Sequence, residues 1–448
     1  MTQPTDMRER QARLSQIIED LLGEAKAQGA DAAEAGVNND AGLSVTARMG
    51  EVETIEHTRD QGLGISVYFG QRKGSASTSD LSPQAIRDTV RAACNIARYT
   101  SADLCAGLAE AELMAREIPD LDLYHPWPLE PREAIDLCLR TEAAALDLDP
   151  RITNSEGATL NSHSGLQVYG NSHGFIGGFP SSRHNISCAV VGGEGGVMQR
   201  DYWYSAGRRA DDLEAPEQIG RKAGERTLAR LGARRISTRE TPVIFLAETA
   251  TGLLRSLTGA ISGSSIYRKS SFLLDRVGER IFPNFVQVGE NPRLPRGLGS
   301  APFDSDGVAT YAKPIVRDGV LQTYLLSSYS ARKLGLHTTA NAGGVRNLHI
   351  TPGELDLPGL LREMGRGLLV TEMMGHGLNM VTGDYSRGAS GFWIENGEIA
   401  HPVEEITIAG NLGEMFSQLL AVGCDEERRG STRTGSWLIE RMTIAGEA

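Results

Sequence analysis

Leu14, Ile17, Ile18, Leu21, Leu22 and Ala25 recur at intervals of three and four, which puts their side chains on one face of an α-helix. Gly29 comes after the last of them and can take the backbone conformation that ends a helix. Three runs come next, GLSVTARMG, EVETIEHTRD and GLGISVYFG, in which apolar and polar residues alternate. A period of two predicts short strands, here broken at glycines. Ser82-Pro83 then opens a second helix: a serine hydroxyl can accept from a free first-turn N–H, and proline fits the first turn. Its apolar stripe is Ile86, Val90, Ala93 and Ala97. These elements predict a first α+β domain over residues 1–115.

DLYHPWPLEP, too proline-rich for a helix or a central strand, reads as a linker or an extended arm. PREAIDLCLRTEAAAL predicts a helix with Ile135, Leu139, Ala143 and Leu146 inward. A long glycine- and serine-rich β segment comes after it, and the helix EQIGRKAGERTLARLGA closes a central α+β domain, 116–235. Helix, strands, helix is the order in both blocks, as a degenerate duplication would leave, although no sequence repeat is visible.

From Thr241 the chain is β-rich, which defines a C-terminal domain over 236–448. Asp318-Gly319 in KPIVRDGVLQTYLL and Asn396-Gly397 in GFWIENGEIAHPV predict tight hairpin turns, because both dipeptides tolerate positive φ. NLGEMFSQLLAVG predicts a helix turning Leu412, Met415, Phe416, Leu419 and Leu420 inward and ending at Gly423. The expected fold class is therefore α+β, two smaller N-terminal α/β units followed by a β-rich C-terminal domain.

Charge narrows the function classes. A formal net charge of −12 and a pI near 5.4 leave no basic excess to displace phosphate counterions, which argues against nucleic acid as partner. The densest basic run, 230–239, falls in a helix-to-strand connection and reads as a solvated face. The opening stretch MTQPTDMRERQARLSQ lacks the apolar core of a signal peptide, and no run reaches the 18 or so apolar residues of a membrane span. Five scattered cysteines without a C-x-x-C pair fit free thiols in a reducing cytoplasm.

Candidate chemistry is sparse. The nine histidines are dispersed. TEMMGHGL (371–378) is one substitution, at Thr371, from an H-E-x-x-x-H frame, the type of pattern in which two imidazoles hold a metal and a carboxylate activates water. Gly375 and Gly377 flank His376, however, and the run LLVTEMMGHGLNMVTGDYS predicts a strand and then a loop rather than a ligand-bearing helix. GNSHG (170–174) matches the nucleophile-elbow pattern, but the residues after it alternate like a strand, so a turn between strands is expected. Glu404-Glu405 and Asp211-Asp212 are sequence neighbours and read as surface charge. Asp384 and Arg387 lie in a glycine-bracketed loop, where opposite charges can pin a turn or meet a substrate.

NMVTGDYSRGASGFWIENGEIAHPVEEITIAGNL closely resembles the signature of the TldD/PmbA family, and specifically its PmbA (TldE) branch. ITNSEGATL, VYGNSHGF, YLLSSYSARKLGLHTTANAGG and RTGSWLIERMTIAG extend the resemblance over essentially the whole chain. The resemblance implies a cytoplasmic chain that pairs with a TldD paralogue, with a homodimer as the arrangement when it is alone. Together the two would form a zinc-dependent peptidase around a protected chamber, acting on peptides or small unfolded proteins. In the TldD branch an H-E-x-x-x-H helix comes after the first strand of the C-terminal domain. Here that place, after TPVIFL, reads AETATGLL: Ala247 and Gly252 occupy the histidine positions, and Glu248 remains where the catalytic glutamate would be. Neither side chain offers a lone pair, so the expectation is no catalytic residue and no metal ligand in this chain, with zinc in the partner. His376, Asn379, Asp384 and Arg387 are the expected chamber-lining or substrate-contacting residues. Two alternatives remain open: an autonomous metallopeptidase using His376, Glu372 and a distant ligand, and a non-proteolytic binding protein of the kind labelled modulator of DNA gyrase.

Overall fold

The computed structural model describes residues 4–446; the first three positions of the charged N-terminal stretch and the last two of the chain lie outside it. Helix α1 (Pro4–Ala27) leads into strands β1 (Ala32–Arg48), β2 (Glu51–Phe69) and β3 (Arg72–Thr78) and helix α2 (Pro83–Tyr99). The same order then recurs as α3 (Pro131–Leu146), β4 (Ile152–Asn171), β5 (Ile176–Glu194), β6 (Val197–Gly207) and α4 (Pro216–Ala229). All six strands belong to one antiparallel sheet, ordered β3-β2-β1-β4-β5-β6. The two blocks meet along the central β1–β4 ladder, which runs from Glu34 opposite Asn171 to Ala47 opposite Ala158. Strand side chains alternate between faces, so Ala33, Ala35, Val37, Leu43, Val45 and Ala47 of β1 share one. The first three pack in the core under α1 and α2, the last three in the core with residues of α3 and α4.

The stripe of α1 is buried at Leu14, Ile17, Ile18, Leu21 and Ala25, and Gly29 takes φ +86° as the chain leaves the helix. Ser82 caps α2, its Oγ accepting from the Ala85 N–H, and Ile86, Val90, Ala93 and Ala97 are buried beneath it. One expectation fails here and another holds in part. EVETIEHTRD and GLGISVYFG are not separate short strands: they are continuous in β2, because the β1 ladder holds Gly62 and Gly64 in register. The fully buried stripe of α3 is Ala134, Cys138, Thr141, Glu142 and Ala145; of the expected set, Ile135, Leu139 and Leu146 are half-buried and pack against the same core, and Ala143 is exposed. The reason is the close approach of α4. A Cβ on Gly220 would lie 1.9 Å from the Thr141 carbonyl oxygen, so small residues face the contact and larger ones flank it. Glu142 is buried because both its carboxylate oxygens accept hydrogen bonds from the β1–β2 turn, from the N–H groups of Met49 and Gly50.

The C-terminal part begins with β7 (Arg239–Phe245) and α5 (Ala247–Ala260), then α6 (Gly263–Tyr267), β8 (Val288–Glu290), β9 (Lys313–Arg317) and β10 (Val320–Leu321). Next come α7 (Ser328–Leu334), β11 (Leu348–Ile350), α8 (Leu357–Met364), β12 (Gly367–Met374), β13 (Asp384–Glu395) and β14 (Glu398–Asn411). The last elements are α9 (Leu412–Ser417), β15 (Leu419–Val422), β16 (Thr432–Arg433) and β17 (Trp437–Ala445). One sheet is ordered β14-β13-β12-β7-β17-β15, and a further β14–β17 pairing closes it on itself; a smaller sheet is ordered β10-β9-β8-β11-β16. Between them Phe245, Phe282, Phe416 and Trp437 are fully buried, with Phe282 stacked on Phe416 at 4.6 Å. The molecule is thus α+β with a β-rich C-terminal part. Both predicted hairpins form, with φ of +50° and +74° at Asp318-Gly319 and +53° and +78° at Asn396-Gly397. The expected helix over 411–423 is cut short: α9 stops at Ser417, and 419–422 is a strand taken up by β17, which leaves Leu420 exposed. No described helix is long and apolar enough to cross a membrane.

Candidate functional site

Strand β7 delivers the chain directly into α5. The Leu246 N–H donates to the Val370 carbonyl of β12, and the Ala247 N–H to Oγ of Ser436, which is itself held by Asp425 at 2.6 Å. Ala250, Leu253, Leu254 and Leu257 turn α5 towards the core. The opposite stripe, Glu248, Thr251, Gly252 and Arg255, keeps helical spacing and lines a cavity of about 430 Å³. The remaining walls come from β6 (Asp201, Tyr202), α4 (Arg226, Arg230) and the segment from Thr371 to Arg387. The cavity therefore lies at the seam between the N-terminal sheet and the C-terminal part.

Charges alternate across this seam. Glu427 pairs with Arg429, and Arg429 reaches Glu248 at 3.2 Å. Glu248 also binds Arg226 at 2.8 Å; Arg226 and Arg230 share Asp201; and Arg230 meets Glu372 at 2.5 Å. Arg429 lies over the Trp203 and Tyr204 rings, 3.8 and 4.5 Å from their centroids. Burial opposes its charge, but Glu427 and Glu248 outweigh that and hold its pKa above the ordinary arginine value. Arg226 behaves likewise: burial lowers its pKa, and Glu248 with Asp201 raises it further. Burial raises the pKa of Tyr202 and Tyr204, so both are neutral hydroxyls at physiological pH.

The stretch that the resemblance assigns to a metal motif, Ala247 to Gly252, adjoins this network through Glu248. Ala247 and Gly252 bring no donor, and the one carboxylate there, Glu248, is engaged by two guanidinium groups. A cation placed beside Oε1 of Glu248 would face Arg226 and Arg429, both at ion-pair distance from that oxygen. Among the described residues no group of three His, Cys, Asp or Glu side chains is arranged to hold a metal ion. The residues present do not fit zinc.

The structure brings together residues far apart in the chain. Glu372 and His376, from TEMMGHGL, line the same cavity as Glu248 and Gly252, because β12 runs parallel to β7 with Val370 opposite Phe245. Their frame is not helical: Glu372 is on β12, and His376 stands exposed in the next loop, after Gly375 at φ +75°. Arg387 lines the cavity too, whereas Asn379 and Asp384 are not among its lining residues. Asn379 Oδ1 accepts from the Val381 N–H, and Asp384 accepts from Thr382 Oγ1 at 2.6 Å and Asn411 Nδ2 at 3.2 Å. Those hydrogen bonds from Thr382 and Asn411 lower the Asp384 pKa. Asp384 and Arg387 form no ion pair, so Thr382 and Asn411 pin this turn. GNSHG is a turn between β4 and β5, where Ser172 Oγ accepts the Ala33 N–H at 3.1 Å.

Sequence reasoning missed Asp201, Trp203, Arg226, Arg230, Arg255 and Arg429. The four-residue spacing of Arg226 and Arg230, and of Glu248 and Gly252 before Arg255, marks helical stripes. Nothing in the sequence says that these stripes face each other.

Family models for the PmbA/TldA metallopeptidase domain 1, central domain and C-terminal domain match residues 33–97, 124–231 and 238–446. The chain belongs to the PmbA/TldD family. It is 54% identical to Metalloprotease PmbA of Escherichia coli O157:H7, over 93% of each chain. It is 52% identical to the Metalloprotease PmbA homolog of Haemophilus influenzae, over 92% of each. Among solved structures it resembles a protein from Bacteroides thetaiotaomicron described as a modulator of DNA gyrase, with TM-score 0.92, 28% identity and full coverage of both chains.

Proposed function

We propose that this chain is the non-zinc-binding subunit of a two-component peptidase, completing the chamber and positioning an extended peptide for cleavage by a zinc-bearing TldD paralogue. One observation carries the reading: Glu248, at the position of the family's catalytic carboxylate, is held by Arg226 and Arg429 between two residues that cannot ligate. A general base must be free to reach the water it deprotonates, and this carboxylate is committed to two guanidinium groups with no metal ligand on either side of it. The acidic chain and the aromatic, arginine-rich seam suit a protein partner and a peptide better than a nucleic acid. The cytoplasm is the compartment this reading requires.

Metal analysis and peptidase assays on the chain alone, and after mixing with its paralogue, test the proposal. The expected result is no stoichiometric zinc and no cleavage alone, with chelator-sensitive cleavage in the mixture. Stoichiometric zinc with proteolysis by the lone chain overturns it. The proximity of His376 and Glu372 to Glu248 supports an autonomous enzyme as the second reading, which His376→Ala separates: total loss of activity there, little change in the two-component assembly.

A further inference from the structure

Seven charged groups of the seam, from Glu427 to Glu372, satisfy one another. Two cations of the cavity take no part in that chain. Arg255 and Arg387 both line it, and among the described residues neither is ion-paired. Arg387 Nε is shut off from solvent without a hydrogen-bond partner, a position in which a guanidinium N–H calls for an acceptor. Arg255 is exposed, and its Nη2 donates to Thr251 Oγ1 at 3.0 Å. It also borders two neighbouring cavities, of about 520 Å³ beside α6 and about 310 Å³ beside Thr432. The three spaces adjoin along α5, as an extended chain needs. In a protein of net charge −12 the cavity wall is left with cationic surplus.

We infer that Arg255 and Arg387 form a carboxylate-binding site, taking either the free C-terminus of an extended peptide or an Asp/Glu side chain along it. The inference rests on the reading of this cavity as a peptide compartment. Planar guanidinium groups suit a carboxylate because each offers parallel N–H donors to its two oxygens.

The test uses the full chain without its paralogue and fluorescence anisotropy of three labelled decapeptides of Ala, Ser and Gly. One ends in a free carboxylate, one in an amide, and one is amidated with a single internal Glu. At least one carboxylate-bearing peptide is expected to bind about tenfold or more tightly than the neutral amide, and which one does so identifies the source of the carboxylate. Arg255→Gln and Arg387→Gln are each expected to erase most of that preference. Arg255 is exposed, so its variant reads binding without a folding penalty. Equal affinity for all three peptides, a preference that survives both substitutions, or no binding by any peptide overturns the inference. Binding by the lone chain and cleavage in the mixture are separate readouts, so failure here is distinguishable from failure of the two-component proposal.

Discussion

The two walls of the cavity are built on opposite principles. AETATG begins a helix whose other face is sunk in the main core, and its polar stripe is held by arginines from two other segments. TEMMGHGL is the end of a strand and the start of a loop, shaped by glycines and backbone hydrogen bonds. The helix wall is fixed by packing and charge, the loop wall by backbone conformation. A motif-like spelling therefore means different things in the two places. Spacing that converges on a helix does not do so at this strand end, where a bulge between Val370 and Glu372 interrupts the ladder and His376 falls in the following loop.

The sharpest way to break the helix wall is to hollow out its support. Leu254 is fully buried, so Leu254→Ala is expected to cost about 2–5 kcal/mol in urea unfolding, through lost burial and the cavity left behind. Arg429→Met comes next: it strands the buried Glu427 carboxylate and removes the cation from the Trp203 ring. Its expected cost is about 2–4 kcal/mol by the same measurement, with Glu248 left to Arg226 alone. On the loop wall a Cβ at Gly377 would sit 1.6 Å from the Ser386 carbonyl oxygen, a backbone atom that cannot swing aside. Gly377→Ala is expected to lower stability by about 1–3 kcal/mol in thermal melts, and wild-type stability of the variant contradicts this account of the loop. The smallest effect is the most pointed. A Cβ at Gly252 meets nothing within 4 Å, so Gly252→Ala is expected to stabilise α5 by about 0.5–1 kcal/mol. If that variant melts lower than wild type, the glycine has a structural role that the open space around it does not reveal.

Legibility tracked the range of the interactions. The α1 stripe, the Ser82 cap and the turns at Asp318-Gly319 and Asn396-Gly397 were readable because each is decided within a few residues. The α3 stripe was readable in part: Ile135, Leu139 and Leu146 do pack against the core, while contact with Gly220 of α4 puts the small residues at its centre. The stretch 419–422 has helical spacing but finds a strand partner in β17, and pairing prevailed. Of the site, the sequence marked the AETATG position and named His376 and Arg387 as lining residues. It also named Asn379 and Asp384, which lie outside this cavity and hydrogen-bond within the adjoining turn.

What the sequence by itself determined is the set of local elements, their α+β order and the absence of nitrogen donors flanking Glu248, all properties of neighbouring residues. What only the tertiary structure decided is the partnership of Glu248 with Arg226 and Arg429 and the shared cavity with Glu372, His376 and Arg387. Those contacts depend on β7 and β12 lying side by side and on the N-terminal sheet docking against α5. The physical reason is range: local periodicity reports which way a side chain faces, while Coulomb attraction acts on whichever charges the packed core brings within reach.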